Sequence, residues 1–154
     1  MSAETKPSTF GSSLRLDDGD LAFERGDLVI VSGKPNLQQG LMVMLGTPFG
    51  SDVFNTAYGF DAVGVFTHQT TPRQTKDLIR LQIVRSVSAD NRIREFTSLV
   101  FSDEPAFTAG LPNDDAAALL QERKPARRWQ ARLVLETVGE GEVALQLEGS
   151  GLKP

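Results

Sequence analysis

The sequence predicts one α+β domain, in which two main helices pack on an antiparallel or mixed sheet. The chain has 154 residues, a length that suits a single domain with one ordinary hydrophobic core. Two segments show the apolar spacing of amphipathic helices, and three segments in the C-terminal half alternate apolar and polar residues as half-buried strands do. This order of elements favours helices segregated on a largely antiparallel sheet.

The domain is predicted to span residues 14–148. Residues 1–13 are rich in Ser, Thr, Gly and Pro with few apolar anchors, which is typical of a flexible tail. Residues 149–154 are predicted as a second tail. Residues 102–126 interrupt the strand pattern and are predicted to be an insertion that holds a short helix after Asn113. We identify no internal repeat in the sequence.

The N-terminal half of the domain is predicted to pass from short strands into a helix. Apolar strings over 14–31 are broken by Asp-Gly and Arg-Gly, which is typical of strands in a meander. A helix is predicted over 37–45, because its apolar residues fall on one stripe. Asn36 is predicted as its N-cap, and Gly46 is predicted to end it in the left-handed conformation.

The middle of the chain is predicted to hold a turn, a loop and the second main helix. Thr47-Pro48-Phe49-Gly50 suits a type I turn with proline second. Val53-Phe54 is predicted as a short strand, and 61–66 as a short segment of undetermined type. A helix is predicted over 72–87, with Thr71 as its cap and proline at its first position.

The last three strands of the prediction are 92–101 and a hairpin of 127–138 with 143–147. The turn between the hairpin strands contains Gly139 and Gly141. One face of each strand is predicted to meet the core, and the other to meet water or a partner. In the first strand the two faces are predicted as Ile93, Thr97, Leu99 and Phe101 against Phe96 and Val100.

Composition excludes several functional classes. Asp plus Glu outnumber Lys plus Arg by 20 to 16, and the resulting net charge of -4 argues against a nonspecific nucleic-acid binder. The absence of cysteine excludes disulfides, thiol catalysis and iron–sulfur clusters. A single histidine excludes a multi-histidine metal site within one chain, so neither metal nor cofactor is expected. Without a long apolar run or a signal-peptide pattern, we expect no membrane insertion and assembly in the cytoplasm.

The sequence offers few candidates for catalysis. His68 stands in a polar linker, where an exposed or capping role is expected. Two carboxylate clusters are the candidates for hydrolase chemistry, which needs two carboxyl groups at a defined separation. Turn and helix-start preferences already explain both clusters. Their members are Asp17, Asp18, Asp20 and Glu24 in the first cluster, and Asp114 and Asp115 in the second.

One segment hints at nucleic-acid stacking. Arg127-Arg128-Trp129 joins basic charge to an aromatic ring. Because the segment runs into an alternating strand of an acidic chain, we expect Trp129 to belong to the core instead.

The order of several motifs resembles the phage baseplate wedge family, the protein W-like group that was formerly labelled lysozyme-like. These motifs cover most of residues 20–147 and resemble a helix entry, a Leu-x-Thr-Pro-x-Gly stop, an aromatic-Gly loop, an amphipathic helix and a C-terminal hairpin. The first of them stand here as Asp27-Leu28-Val29-Ile30-Val31-Ser32-Gly33, Asn36-Leu37-Gln38-Gln39-Gly40-Leu41, Leu45-Gly46-Thr47-Pro48-Phe49-Gly50 and Tyr58-Gly59.

The resemblance implies a structural, non-enzymatic protein of a contractile tail or injection system, with a fold like the sheath-linking domain. Its implied partners are the sheath protein, other baseplate wedge proteins and the inner tube or hub, with several copies in a ring. It would link the baseplate to the first sheath ring by shared β-strands. Many family members carry Glu-Pro-Arg before the aromatic-Gly pair, whereas this chain has Asn55, Thr56 and Ala57 before Tyr58 and Gly59.

Two sets of partner-binding residues follow from this resemblance. The first is the loop Asn55, Thr56, Ala57, Tyr58 and Gly59, and the second is the last strand with Val143, Leu145 and Leu147. A strand at the edge of a sheet accepts a partner strand through its backbone. The alternatives are a carboxylate-based hydrolase and a small sheath-like subunit, and 154 residues is short for a sheath protein.

Overall fold

Three α-helices and nine strands form the part of the chain that the computed structural model describes, residues 9–67, 71–107 and 128–150. The strands are β1 (Ser12–Leu14), β2 (Leu16–Asp17), β3 (Asp20–Leu21), β4 (Phe23–Glu24), β5 (Asp27–Leu28), β6 (Ile30–Ser32), β7 (Ile93–Phe101), β8 (Arg128–Thr137) and β9 (Gly141–Ser150). The helices are α1 (Lys34–Gly46), α2 (Ala62–Phe66) and α3 (Pro72–Val87), with a short 3-10 turn at Pro105–Phe107.

The predicted α+β class is confirmed. The largest sheet is antiparallel, with strand order β7-β8-β9. One hydrophobic core joins the inner stripe of α1, the inner stripe of α3 and one face of this sheet. The helix residues in it are Leu37, Leu41, Met44, Ile79, Ile83 and Val87, and the main sheet residues are Leu99, Phe101, Ala131, Leu133, Leu135, Val143, Leu145 and Leu147.

The C-terminal hairpin confirms the predicted alternation. Every second residue is buried from Ala131 to Thr137 and from Val143 to Leu147. Trp129 is partly buried and packs against the core, with its ring edge-on to Phe101 at 6.0 Å between ring centroids. The ladder closes at Thr137 opposite Gly141 and runs out to Ser150. The predicted tail over 149–154 therefore begins two residues too early, because Gly149 and Ser150 still pair with β8.

The predicted faces of the first long strand are wrong near its middle. Leu99 and Phe101 are buried as expected, but Phe96 packs on the core while Thr97 is exposed. The ladder between β7 and β8 shifts register between Phe96 and Ser98. A second shift lies between Ile93 and Glu95. Each such β-bulge inserts one extra residue, so the parity that faces the core changes twice, from Ile93 to Phe96 and then to Leu99.

The N-terminal strands form two tight hairpins set into the ladder between β1 and β6. The hairpins are the β2–β3 and β4–β5 pairs, and they repeat the same pattern at a spacing of seven residues, 16–21 and 23–28. Both central residues of each turn have positive φ, as type I′ turns require: Asp18 and Gly19, then Arg25 and Gly26. This tandem repeat corrects the prediction that the chain has none.

Three backbone hydrogen bonds join the two hairpins to the β1–β6 ladder. Arg15 N donates to Val29 O (2.8 Å), Ala22 N to Arg15 O (2.9 Å) and Val29 N to Ala22 O (3.1 Å). The three ladders, β1–β6, β2–β3 and β4–β5, therefore meet at one closed junction instead of following each other in a simple meander. We call residues 14–30 the hairpin arm.

The start of the domain is earlier than predicted. Phe10 is buried in the core and Ser12–Leu14 pairs with β6, so residues 9–13 are part of the folded domain. Asn36 is also not the N-cap: the helix begins at Lys34 after Gly33, with proline in its first turn. The buried Asn36 amide instead donates to Phe10 O (2.8 Å) and accepts from the Ser13 hydroxyl, which fixes the N-terminal segment to α1.

The end of α1 also differs from the prediction. Gly46 is helical and does not have positive φ; the helix ends because Thr47, before Pro48, is extended. The following turn is one residue later than predicted, since Ser51 N donates to Pro48 O (3.1 Å) and Gly50 has φ +76°. By contrast, Thr71 caps α3 as expected and forms a capping box with Gln74.

Only the start of the predicted insertion lies within the described residues. Phe107 is buried at the end of the 3-10 turn, and Arg132 donates to its carbonyl oxygen (3.2 Å). The described part of the insertion therefore packs on the sheet. The predicted helix after Asn113 lies outside the described residues.

Candidate partner interface

Two of the motif segments meet at one corner of the domain. Pro48 and Phe60 form a parallel β-bridge. Phe60 N donates to Thr47 O (2.8 Å), Phe49 N to Phe60 O (3.0 Å) and Gly50 N to Tyr58 O (3.2 Å). The Thr-Pro-Phe-Gly segment and the Tyr-Gly segment therefore hold each other through backbone bonds, and residues 51–57 project between them as a loop.

Gly59 is required by the close approach of these two segments. Its φ is +108°, and a Cβ atom there would lie 2.6 Å from Thr47 O and 2.9 Å from Pro48 O. No side chain fits at this distance, and the backbone conformation itself favours glycine. Ser86 on α3 donates to the Gly59 carbonyl oxygen (2.9 Å), which ties the corner to the helix.

Four of the five predicted loop residues line a shallow cleft of about 290 Å³ beside this corner. They are Asn55, Ala57, Tyr58 and Gly59, and the opposite wall comes from Met44 and from the end of α3 and the turn after it. The fifth, Thr56, is exposed and does not line the cleft. Tyr58 is half-buried and packs on the core, so its ring is a structural part of the wall.

Asp90, which lines the cleft, forms an ion pair with Arg92. Arg92 donates two hydrogen bonds to it, from Nε to Oδ1 (2.9 Å) and from Nη2 to Oδ2 (2.7 Å). Hydrogen bonds from Arg92 hold the pKa of Asp90 below its ordinary value, and Asp90 raises the pKa of Arg92. Burial, assisted by the carboxylates of Asp52 and Asp90, raises the pKa of the Tyr58 hydroxyl.

We expect Asp90→Asn to lower the free energy of unfolding by about 1 kcal/mol near neutral pH, because one arm of a partly exposed charged fork is lost. Since the pKa of Asp90 is lowered on folding, its contribution is complete above the ordinary value of 3.8 and is lost as pH falls below it. Urea unfolding of both proteins at about pH 7 and about pH 2.5 measures this. Equal differences at the two pH values would contradict the assignment.

The tip of the loop carries two apolar side chains that the sequence analysis assigned to a strand. Val53 is 86% exposed and Phe54 is 100% exposed, and neither is in a strand. The Asp52 carboxylate accepts from Phe54 N (2.9 Å) and Asn55 N (3.3 Å), which folds the tip into a turn. The signal in the sequence was an apolar pair directly after Gly50-Ser51-Asp52, a typical turn context.

The predicted side chains of the last strand point into the domain. Val143, Leu145 and Leu147 are all buried in the core, so they are not available to a partner. Ser102 N donates to Gln130 O (2.9 Å), so the backbone N–H and C=O groups of Gln130 point toward β7. Glu148 lies opposite Gln130 in the β8–β9 ladder, so the backbone N–H and C=O groups of Glu148 point away from β8. The outward backbone groups of β9 therefore belong to the even-numbered residues.

Side chains cover much of the two open edges of the sheet. On β9, Gln38 donates to Ala144 O (3.0 Å) and Lys34 to Glu142 O (3.4 Å). Among the described residues, no such contact reaches the backbone of Gln146 or Glu148. Within the described ranges, one end of the β9 edge is therefore left uncovered.

An ion pair covers the C-terminal end of the β7 edge. Arg80 Nη2 lies 3.0 Å from Glu104 Oε1 and also donates to Leu99 O (3.5 Å). Glu104 Oε2 accepts from Phe101 N (3.0 Å). Capping of this kind protects an edge strand from unwanted pairing. The C-terminal end of β9 is therefore the better candidate for a shared strand.

The carboxylate candidates for catalysis do not form a site within the described residues. Asp17 and Asp20 are exposed and lie opposite each other in the β2–β3 hairpin. Glu24 belongs to the β4–β5 hairpin, and its Oε1 lies 3.7 Å from Nη1 of Arg15. His68, Asp114, Asp115 and Arg127 lie outside the described residues. No group of three potential ligands that could hold a metal ion occurs in the described ranges.

No protein-family model, curated protein or solved structure matches this chain. The resemblance to the baseplate wedge family therefore depends on the ordered motifs alone. None of the helices in the described ranges combines the length and apolar character that crossing a membrane would need.

Proposed function

We propose that the chain is a structural wedge component of a contractile tail or injection particle, which joins its baseplate to the first sheath ring by strand sharing. The observation that carries this proposal is the end of β9 that no described side chain covers, because described side chains cover the other end of β9 and the C-terminal end of β7. Backbone pairing along such an edge supplies affinity without a pocket. Several copies in a ring strengthen individually modest joints.

The loop corner is the second proposed contact. The Gly59 corner presents a short loop whose tip holds Val53 and Phe54 in solvent. An apolar anchor in a loop held by a rigid scaffold is typical of a protein–protein contact. We propose that this tip, more than the Asn55-Thr56-Ala57 segment, contacts another wedge protein.

We expect Phe54→Ser to leave the free energy of unfolding within about 0.5 kcal/mol of the wild type, since the ring is fully exposed. The same change is expected to weaken co-purification with other baseplate proteins. Leu81→Ser on α3, also an exposed apolar position, is the matched control. Equal recovery of partners with both variants would rule out the loop contact.

The function as a whole is tested by affinity purification of the tagged protein from its native host, followed by mass spectrometry and negative-stain microscopy. Sheath, tube and wedge proteins in the eluate, with contractile particles on the grid, are the expected result. An eluate without tail proteins would overturn the proposal. Long tubes formed by the isolated chain would favour a sheath-like subunit instead.

A further inference from the structure

The hairpin arm has one apolar face that the described chain leaves partly open to solvent. Residues two apart in a strand share a face, and so do residues paired directly across an antiparallel ladder. Applied to the three ladders of the arm, this places six side chains on the same face. They are Leu14, Leu16, Leu21, Phe23, Leu28 and Ile30.

Every side chain of this face reaches solvent, to differing extents. Phe23 is 64% exposed and Ile30 is 71% exposed, whereas Leu14, Leu21 and Leu28 are 38–42% exposed and Leu16 is half-buried. A sheet layer with one apolar face normally buries that face against another layer. Singly exposed apolar residues are common, but an array of paired ones marks an interaction surface.

The tips of the arm are acidic. Between residues 14 and 30 there are five carboxylates against two arginines, a net charge of −3 out of −4 for the whole chain. The acidic pairs Asp17/Asp20 and Glu24/Asp27 stand one residue beyond the apolar pairs, at the hairpin tips. The apolar face is therefore bordered by negative charge on two sides.

From this arrangement we infer that the apolar face of the hairpin arm docks on another protein whose apolar patch is bordered by Lys and Arg. The charge disfavours the other occupants. Nucleic acid and an anionic membrane surface would be repelled, and a second copy would bring two surfaces of −3 within about 8 Å, the screening length at physiological salt. The inference concerns a surface apart from the β9 edge and the loop tip, so it does not depend on the proposed function.

The backbone of the arm explains why this face is presented rigidly. Gln39 of α1 donates to Leu14 O (2.8 Å) and accepts from Leu16 N (2.8 Å), next to the junction. The two type I′ turns and the closed junction at residues 15, 22 and 29 hold the three ladders together. A surface organised before binding loses little conformational entropy on docking.

The test places a photo-crosslinking amino acid at position 23 of the full-length protein in its native host and maps the linked peptides by mass spectrometry. A matched variant carries the probe at Leu81, an apolar position exposed on α3. We expect position 23 alone to link to another protein, at a peptide with Lys or Arg beside the linked residue. We also expect the yield to fall several-fold when salt is raised from about 50 mM to about 500 mM in lysates.

A second variant tests the charge separately. Asp17→Lys with Asp20→Lys is expected to reduce the yield at position 23 about tenfold, while circular dichroism shows an unchanged fold. Three outcomes would each overturn the inference. They are links to a second copy of this chain, a yield of links that changes neither with salt nor with charge reversal, and a yield no higher than that at position 81. Loss of sheath proteins from the purified complex bears only on the proposed function.

Discussion

Gly59→Ala is expected to lower the free energy of unfolding by about 3 kcal/mol, the largest effect that we expect from any substitution at this corner. The added methyl group would lie 2.6 Å from Thr47 O and 2.9 Å from Pro48 O, and both neighbours are backbone atoms. The φ of +108° adds strain that an L-residue cannot relieve without moving the bridge between Pro48 and Phe60. Urea unfolding followed by circular dichroism measures the loss.

The matched control for this variant is Gly46→Ala. Gly46 is helical, does not have positive φ, and has no heavy atom within 4 Å of an added Cβ. Since alanine is the better helix former, this variant is expected to be unchanged or more stable by up to about 0.5 kcal/mol. If Gly59→Ala behaved like Gly46→Ala, the corner would not have the geometry described above.

Gln146→Pro is expected to abolish attachment to the sheath while leaving the domain folded. Gln146 has its backbone N–H on the outward side of β9, so proline removes a donor that β8 does not use. The proposed strand sharing needs this donor. Sheath recovery in the purification from the native host, together with particle length on the grid, measures the effect.

Two further substitutions make this result interpretable. Gln146→Ala retains the N–H and is expected to attach normally, because the proposed contact uses the backbone. Leu145→Pro is expected to unfold the domain, since Leu145 is buried and faces β8 in the ladder. Normal sheath attachment by folded Gln146→Pro protein would contradict strand sharing at this edge.

Several elements were predictable because their signals are local. The alternation along β8 and β9 and the Thr71–Pro72 start of α3 depend on residues within one turn or one strand of each other. The stop of α1 before Pro48 is local too. The irregular register of β7 was not predictable, because it is determined by the partner residues of β8, which at Phe96 and Ser98 lie 39 and 36 positions further along the chain.

The candidate site was only partly predictable. The sequence placed a contact loop at residues 55–59, and the structure describes these residues at the corner, but the exposed pair Val53 and Phe54 was assigned to a strand. The prediction selected Val143, Leu145 and Leu147 on the last strand, whose side chains are buried. Alternation identifies two faces of a strand, but not which backbone groups face outward.

The amino-acid sequence by itself determined the α+β class, the two main helices and the C-terminal hairpin, because hydrophobic period and capping act over short separations. Tertiary structure alone decided that Asn36 binds Phe10, that Arg80 and Glu104 cover the C-terminal end of the β7 edge, and that the hairpin arm joins at one junction. Each of these depends on side chains or strands that meet only after the chain has folded. Packing therefore decides which of several locally allowed roles a polar or turn-forming residue takes.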